Sequence, residues 1–473
     1  MFRVFIAMLA VLFGVAERSA PAAENANISC VVVSEATYAD PAWRGVADAL
    51  VKKHGGHLIR YEGAVLASLS DLRGLLPDFV AFVARPEEAG RATVTQVHRM
   101  MRALDDDPYT DALWGIVTGY EAADAARIVS RSAPLVIRRG MSSMGPGLLD
   151  RTDGGFCSSE TEPGALWRKE DGAVVKESGG KDVARVLAAA FESTPVDYMV
   201  TSGHATERDW QIGYTAANGE IRSRAGNLYT LGLDGGRHPF SAPASKVYMA
   251  AGNCLIGHVT DREALALAWI HGGGVDQMVG YTVVTFFGYG GWGTSQLFDR
   301  GHHTLSEAFF LNTQSLLHRL HEAFPRGLDL EVESFEPEAI GRWARREGLD
   351  REQAGMVWDR DTVAFYGDPA WQARWPQPTT PWTQTLEWGD GAGRFVIETT
   401  AAGKWPDRPV MALLPERITD ITVTAGAEHK PLVTDNFLLV PVAGDHAAGE
   451  RIEIAFRGSP LRRPPAPAAS AGP

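Results

Sequence analysis

Short β-branched apolar runs alternate with amphipathic segments, and this alternation limits the folds open to the chain. "ISCVVVSE" (28–35) reads as a strand. "DPAWRGVADALVKKHGG" (40–56) reads as a helix, with Pro41 near its start and Gly55-Gly56 at its end, and "HLIRYE" (57–62) as the next strand. Residues 78–84 and 111–119 give further strands, with a helical segment at 92–104 between them. Strands separated by helices predict a parallel sheet with crossover connections.

The pattern pauses over residues 140–180, a polar, Gly-rich stretch that reads as loop, and then resumes. "KDVARVLAAAFES" (181–193) predicts a helix, and 197–203 and 245–252 predict strands. "TDREALALAWIHGGG" (260–274) predicts a helix with a Thr260/Glu263 capping box. A strand at 275–284 and a long amphipathic helix at 305–324 follow. The Pro-rich "WPQPTTPW" (375–382) marks a boundary. Beyond it, five short β-type runs separated by turn residues predict a small Ig-like β-sandwich over 385–458, and 459–473 reads as a disordered Pro/Ala-rich tail.

The N-terminus reads as a signal peptide over residues 1–23. Arg3 precedes an apolar run at 4–15, and Ala20-Pro21-Ala22 offers a cleavage site. That run is too short to span a bilayer, which takes roughly 20 residues. An exported protein is expected, periplasmic or secreted, with no membrane span. The first strand follows so closely that no long inhibitory pro-segment is expected. The net charge of −13, with no Lys/Arg cluster, argues against nucleic acid or an anionic membrane as the main partner.

Three cysteines in an exported chain leave at least one thiol free. Cys30 opens an apolar strand and reads as a core residue, while Cys157 lies in "DGGFCSSE", a loop by composition. Cys254 is placed differently: it directly follows an apolar strand ending Gly252-Asn253. Another apolar strand ends at Ser202-Gly203 and is followed by His204. Side chains just beyond the carboxyl ends of parallel strands line the ligand crevice. If the two strands are neighbours, a thiol and an imidazole meet on one rim, the minimum for nucleophilic acyl transfer. The alternatives at this point are a buried core cysteine and a hydrogen-bonded strand-end histidine.

"SGH" after one strand and a small-residue-Asn-Cys turn after the next resemble the caspase-like clan of cysteine peptidases, and within it the gingipain family. "YMAAGNCLIGHVTDREALALAWIHGGGVDQMVGY" is similar to that family's nucleophile strand, acidic turn, helix and following strand, and "FYGDP" (365–369) to its closing segment. The resemblance spans roughly Asn27 to Gly458. It implies a caspase-like α/β sandwich with a mostly parallel sheet over 27–374, made of an N-terminal half at 27–140 and a catalytic half at 181–374, followed by the Ig-like domain. It further implies a Cys254 nucleophile, a His204 general acid/base, and oxyanion donors on the amides of Ala205 and Cys254. The family carries Gly where this chain has Ala205, whose amide can donate only if its backbone angles suit a residue with a Cβ. The segment 213–240 between the two strands reads as a β-hairpin-like or mobile insert over the site.

The function so implied is an exported cysteine endopeptidase acting on a protein or peptide substrate. Two other classes stand beside it: a catalytically inactive extracytoplasmic binding protein, and a thiol hydrolase of another amide. Trp292, in "FFGYGGWGTS" (286–295), is a candidate wall of the substrate pocket, and Glu207, Asp209 and Asp234 are acidic residues near the motif. No cofactor and no metal are expected. The resemblance admits a structural calcium, but no D-x-D-x-D-G loop is present and Asp105 to Asp107 read as a solvated helix end. His258, four residues after Cys254, makes at most two ligands where zinc needs three or four. His302-His303 and His318 with His321 lack partners at ligand spacing, and the last two read as an exposed helix face.

Overall fold

The first strand, Ser29–Ser34, is buried on both sides because its residues alternate between two apolar cores. Val31 and Val33 face helices Pro41–His54 and Ala122–Ser130, while Cys30 and Val32 pack into the larger cluster with Val94 and Val97 of helix Arg91–Met101. Helix Pro41–His54 begins and ends where the sequence predicts. Asp40 caps Ala42 N–H, Pro41 occupies the first turn, and Gly55 closes it at φ 62°. This computed structural model describes residues 27–405 and 408–461. The 1–23 signal reading falls outside the described residues.

The central element is a twelve-stranded mixed sheet with helices packed on it. From one edge its order is His57–Tyr61, Ser29–Ser34, Phe79–Val83, Leu113–Val117, Val363–Tyr366, Val275–Tyr281, Lys246–Asn253, Tyr198–Gly203, Arg139–Ser142, Gly154–Ser158, Ala165–Glu170 and Ala173–Ser178. The first five strands are mutually parallel. Val275–Tyr281 pairs antiparallel with Val363–Tyr366, and the strands from there to Gly154–Ser158 are again parallel to one another. The sheet is therefore two parallel blocks running in opposite directions along one seam. A hairpin of antiparallel strands, Ala165–Glu170 and Ala173–Ser178, completes the far edge.

Two expectations change. Residues 140–180 are not loop: they supply four strands of the sheet, and Cys157 is a buried strand residue. The Thr260/Glu263 capping box does not form. The helix begins at Leu265, whose N–H donates to Glu207 O at 2.8 Å, and Glu263 instead accepts from Ala225 N–H at 2.9 Å. The Gly-rich segment after Val275–Tyr281 forms the helix Tyr289–Asp299. The insert at 213–240 forms two antiparallel pairings, which extend the short strand Asp209–Gln211 into a separate four-stranded sheet.

The C-terminal unit is all antiparallel. A four-stranded sheet (Trp382–Gly389, Ala392–Thr399, Arg451–Pro460, Ile418–Ala425) and a three-stranded one (Val410–Leu413, Phe437–Val440, Leu432–Val433) share a core that includes Trp382, Phe395, Leu438 and Ile454. Strand Arg451–Pro460 runs into the segment read as tail from residue 459, and residues 462–473 lie outside the described residues. Buried Arg417 fastens the unit to the α/β body, donating to the carbonyls of Pro77 (3.0 Å) and Asp111.

Candidate active site

The strands that end at His204 and Cys254 are direct neighbours. Their register pairs Ser202 with Gly252 and Gly203 with Asn253, so His204 and Cys254 are the next residues out on adjoining parallel strands. Such strands lie about 4.8 Å apart. His204 is exposed and Cys254 half-buried.

Buried polar groups beneath the pair lock this register. Asn253 accepts from Thr201 Oγ1 at 2.5 Å and donates from Nδ2 to Gly203 O at 3.2 Å. Thr201 Oγ1 also meets Tyr248 OH at 2.9 Å. On the other side, Ser202 O accepts from Trp210 Nε1 (3.1 Å) and Ser143 Oγ (3.2 Å), and Ser202 N–H donates to Ser143 Oγ at 2.9 Å. Gly203 is required by its backbone: φ is 128°, and a β-carbon would lie 2.9 Å from Gln211 O.

Beyond Cys254 the chain turns sharply. Leu255 holds φ 57°, a left-handed conformation costly for a side chain with a Cβ, and its N–H donates to Val283 O at 2.9 Å. The turn leaves Cys254 Sγ facing the next strand exit, where it accepts from Thr285 N–H at 3.4 Å. Thr285 went unread in the sequence because nothing local distinguishes it. The other two thiols are buried, and burial pushes Cys30 and Cys157 up to about 12.

Ala205 pairs with Trp210 in an isolated antiparallel bridge held by Gln211 N–H to His204 O and Thr206 N–H to Asp209 O, both 2.8 Å. That pattern does not use the Ala205 N–H.

Trp292 lies on helix Tyr289–Asp299, against the end of the Cys254 strand. A β-carbon on Gly252 would lie 2.9 Å from Trp292 Cζ2 and 2.6 Å from Ser202 Oγ. The helix approaches this closely because Gly291 lacks a side chain; a β-carbon there would sit 2.3 Å from Ala251 O. Asp359 fixes the helix start, accepting at Oδ2 from Gly290 N–H (2.9 Å) and Tyr281 OH (3.0 Å). Burial raises the Asp359 carboxyl to about 6.

The remaining candidates lie in separate places. Glu207 is half-buried; Asp209 lies in the short strand Asp209–Gln211, where burial raises its carboxyl; Asp234 is exposed and holds Gly236 N–H in a turn at 2.8 Å. His258 Nδ1 meets Arg91 Nη2 at 3.2 Å, and burial with that neighbouring cation lowers its imidazole to about 4. His318 is half-buried rather than on an open face, with Tyr109 OH 3.2 Å from its Nδ1, while His321 is exposed. Among the described residues, carboxylate oxygens of Asp105, Asp107 and Asp435 lie within 4.8 Å of one another, so Asp105 and Asp107 face the C-terminal unit rather than only solvent.

No family model matches the chain, and no curated protein matches it in sequence. Among solved structures, the Arg-specific cysteine proteinase gingipain R (RgpB) aligns over 92% of this chain and 99% of that one, at 10% identity and a TM-score of 0.39. The likeness is too loose to assign residues.

Proposed function

We propose that the protein is an exported cysteine peptidase of caspase-like α/β architecture with an Ig-like C-terminal unit. The reading rests on one observation: the Gly203–Asn253 pairing that sets His204 beside Cys254 at adjoining strand exits. Cys254, as thiolate, attacks the scissile carbonyl, and the carbonyl π-electrons move onto oxygen. The Ala205 and Cys254 amides stabilise that oxyanion. As the oxyanion collapses, the C–N bond breaks and His204 gives its proton to the leaving amine, leaving a thioester on Cys254. His204 then takes a proton from water, which attacks the thioester; the carboxylic product leaves and the thiolate returns. Positioned proton transfer of this kind contributes roughly 10²- to 10⁴-fold. Trp292 walls the substrate side of the nucleophile strand.

The experiment is selective alkylation of the purified protein by iodoacetamide at mildly acidic pH, read by mass, followed by a peptide-library screen. Labelling confined to Cys254, lost in Cys254→Ala and slowed in His204→Ala, supports a working dyad. Cleavage in the library then separates a peptidase from a hydrolase of other amides. Labelling no faster than a model thiol, with or without His204, would leave the inactive binding protein as the reading.

A further inference from the structure

His204 is the acid and base of the proposed reaction, yet among the described residues neither of its ring nitrogens has a hydrogen-bond partner. A catalytic imidazole without an orienting carboxylate or amide is free to turn about its side-chain bonds. What holds the ring is an aromatic face. Tyr214 stacks on His204 with centroids 5.0 Å apart and planes inclined by 25°.

Tyr214 itself is 54% exposed, unusual for a large aromatic ring that is not buried for packing. Its backbone, by contrast, is fixed. Ile212 N–H donates to Gly219 O at 2.9 Å and closes the neck of the loop. Gly213, at φ 98°, makes a turn in which a β-carbon would lie 2.3 Å from Ala216 O. Tyr214 and Thr215 N–H both donate to Glu160 O, at 2.8 and 3.1 Å. Buried Asn218 accepts from Gly164 N–H at 2.7 Å and so ties the loop a second time to the 159–164 segment. The chain thus orders a loop at two points and ends up presenting one exposed ring to one exposed imidazole.

We infer that Tyr214 is the positioning residue of the dyad, fixing the His204 ring by its face so that both edge nitrogens stay free for proton transfer; this rests on the peptidase reading above. A stack suits the task because nitrogen lone pairs and N–H bonds lie in the ring plane, which stacking leaves uncovered. Turning the imidazole out of the productive plane breaks the stack, worth about 0.5–1.5 kcal/mol in aromatic pairs.

The test uses the purified full chain as wild type, His204→Ala, Tyr214→Ala and Tyr214→Phe. Two quantities are read: the rate of Cys254 alkylation by iodoacetamide, and the ring-proton shifts of His204 in protein carrying isotope-labelled histidine, assigned by their loss in His204→Ala. Tyr214 is too exposed for its truncation to threaten the fold. The expected result is an upfield-shifted His204 ring in wild type. In Tyr214→Ala the shift is lost and alkylation slows about 10-fold, in line with the cost of misplacing a reacting group. Tyr214→Phe, which keeps the ring, restores both. A wild-type rate in Tyr214→Ala while His204→Ala is slow overturns the positioning role and leaves the dyad standing, whether or not the shift moves. An unshifted His204 ring in wild type also overturns it. A wild-type rate in His204→Ala overturns the dyad, and the positioning role with it.

Discussion

Asn253 donates from Nδ2 to the carbonyl of Gly203 across the strand pair, at 3.2 Å, tying the residue before the cysteine to the residue before the histidine. The same side chain accepts from Thr201 Oγ1, so replacing it takes a partner from each of two buried groups, although Thr201 Oγ1 keeps Tyr248 OH. Asn253→Leu is expected to destabilise the protein by about 1–3 kcal/mol and to slow Cys254 alkylation by about 10-fold or more. A melting curve and a labelling time course check the two parts separately.

Glycines in this chain should respond to alanine in opposite ways. Gly203→Ala forces a Cβ into a left-handed backbone and against Gln211 O, so a loss of about 2 kcal/mol or more and a slowed thiol are expected. Gly45, in helix Pro41–His54, has nothing within 4 Å of an added β-carbon. Gly45→Ala should therefore stabilise by about 0.5–1 kcal/mol. Chemical denaturation of the two variants side by side decides this.

Asp359 gives the stability a pH dependence. Its carboxyl is raised from 3.8 to about 6 in the folded protein, so between those values the folded state holds a proton that the unfolded chain has released. Stability from this group is whole below about 3.8, is lost as pH rises towards about 6, and is level above. Asn cannot ionise, and its Oδ1 can still accept from Gly290 N–H and Tyr281 OH. Asp359→Asn should gain on wild type by up to about 3 kcal/mol as the pH of the unfolding experiment is raised through this window. A difference that does not change with pH would rule the account out.

Trp292 packs on Gly252 at the end of the Cys254 strand, and the proposed function makes it a wall of the substrate pocket. Trp292→Ala should raise KM about 10-fold for a cleaved peptide with a smaller change in kcat, the pattern of lost binding rather than lost chemistry. A fall in kcat alone would remove it from the pocket wall.

Much of this site was legible in the sequence because it lies at the ends of continuous apolar runs. Residues 197–203 and 245–252 announce both strands and where they stop. Arg139–Ser142 and Gly154–Ser158 escaped because strands of Arg, Gly and Ser carry no run of their own; their burial comes from the neighbours they pair with. The helix at Tyr289 was hidden for a related reason. Glycines carry no helical signal of their own, and Gly290 and Gly291 are there so that it can lie on Val363 and Ala251. Tyr214 gave no signal at all, because its partner is set by loop anchors to Glu160 and Gly164 that only the fold creates.

The antiparallel seam between Val275–Tyr281 and Val363–Tyr366 has an electrostatic consequence. In a sheet of one direction every helix that follows a strand points its amino end to the same edge, and the peptide dipoles add there. Here the first block aims the starts of Pro41–His54 and Ala122–Ser130 at one edge, and the second aims that of Tyr289–Asp299 at the other. These three helices give the sheet no single positive rim. The edge that carries Cys254 therefore receives the amino end of Tyr289–Asp299 together with the carbonyl-rich ends of Pro41–His54 and Ala122–Ser130.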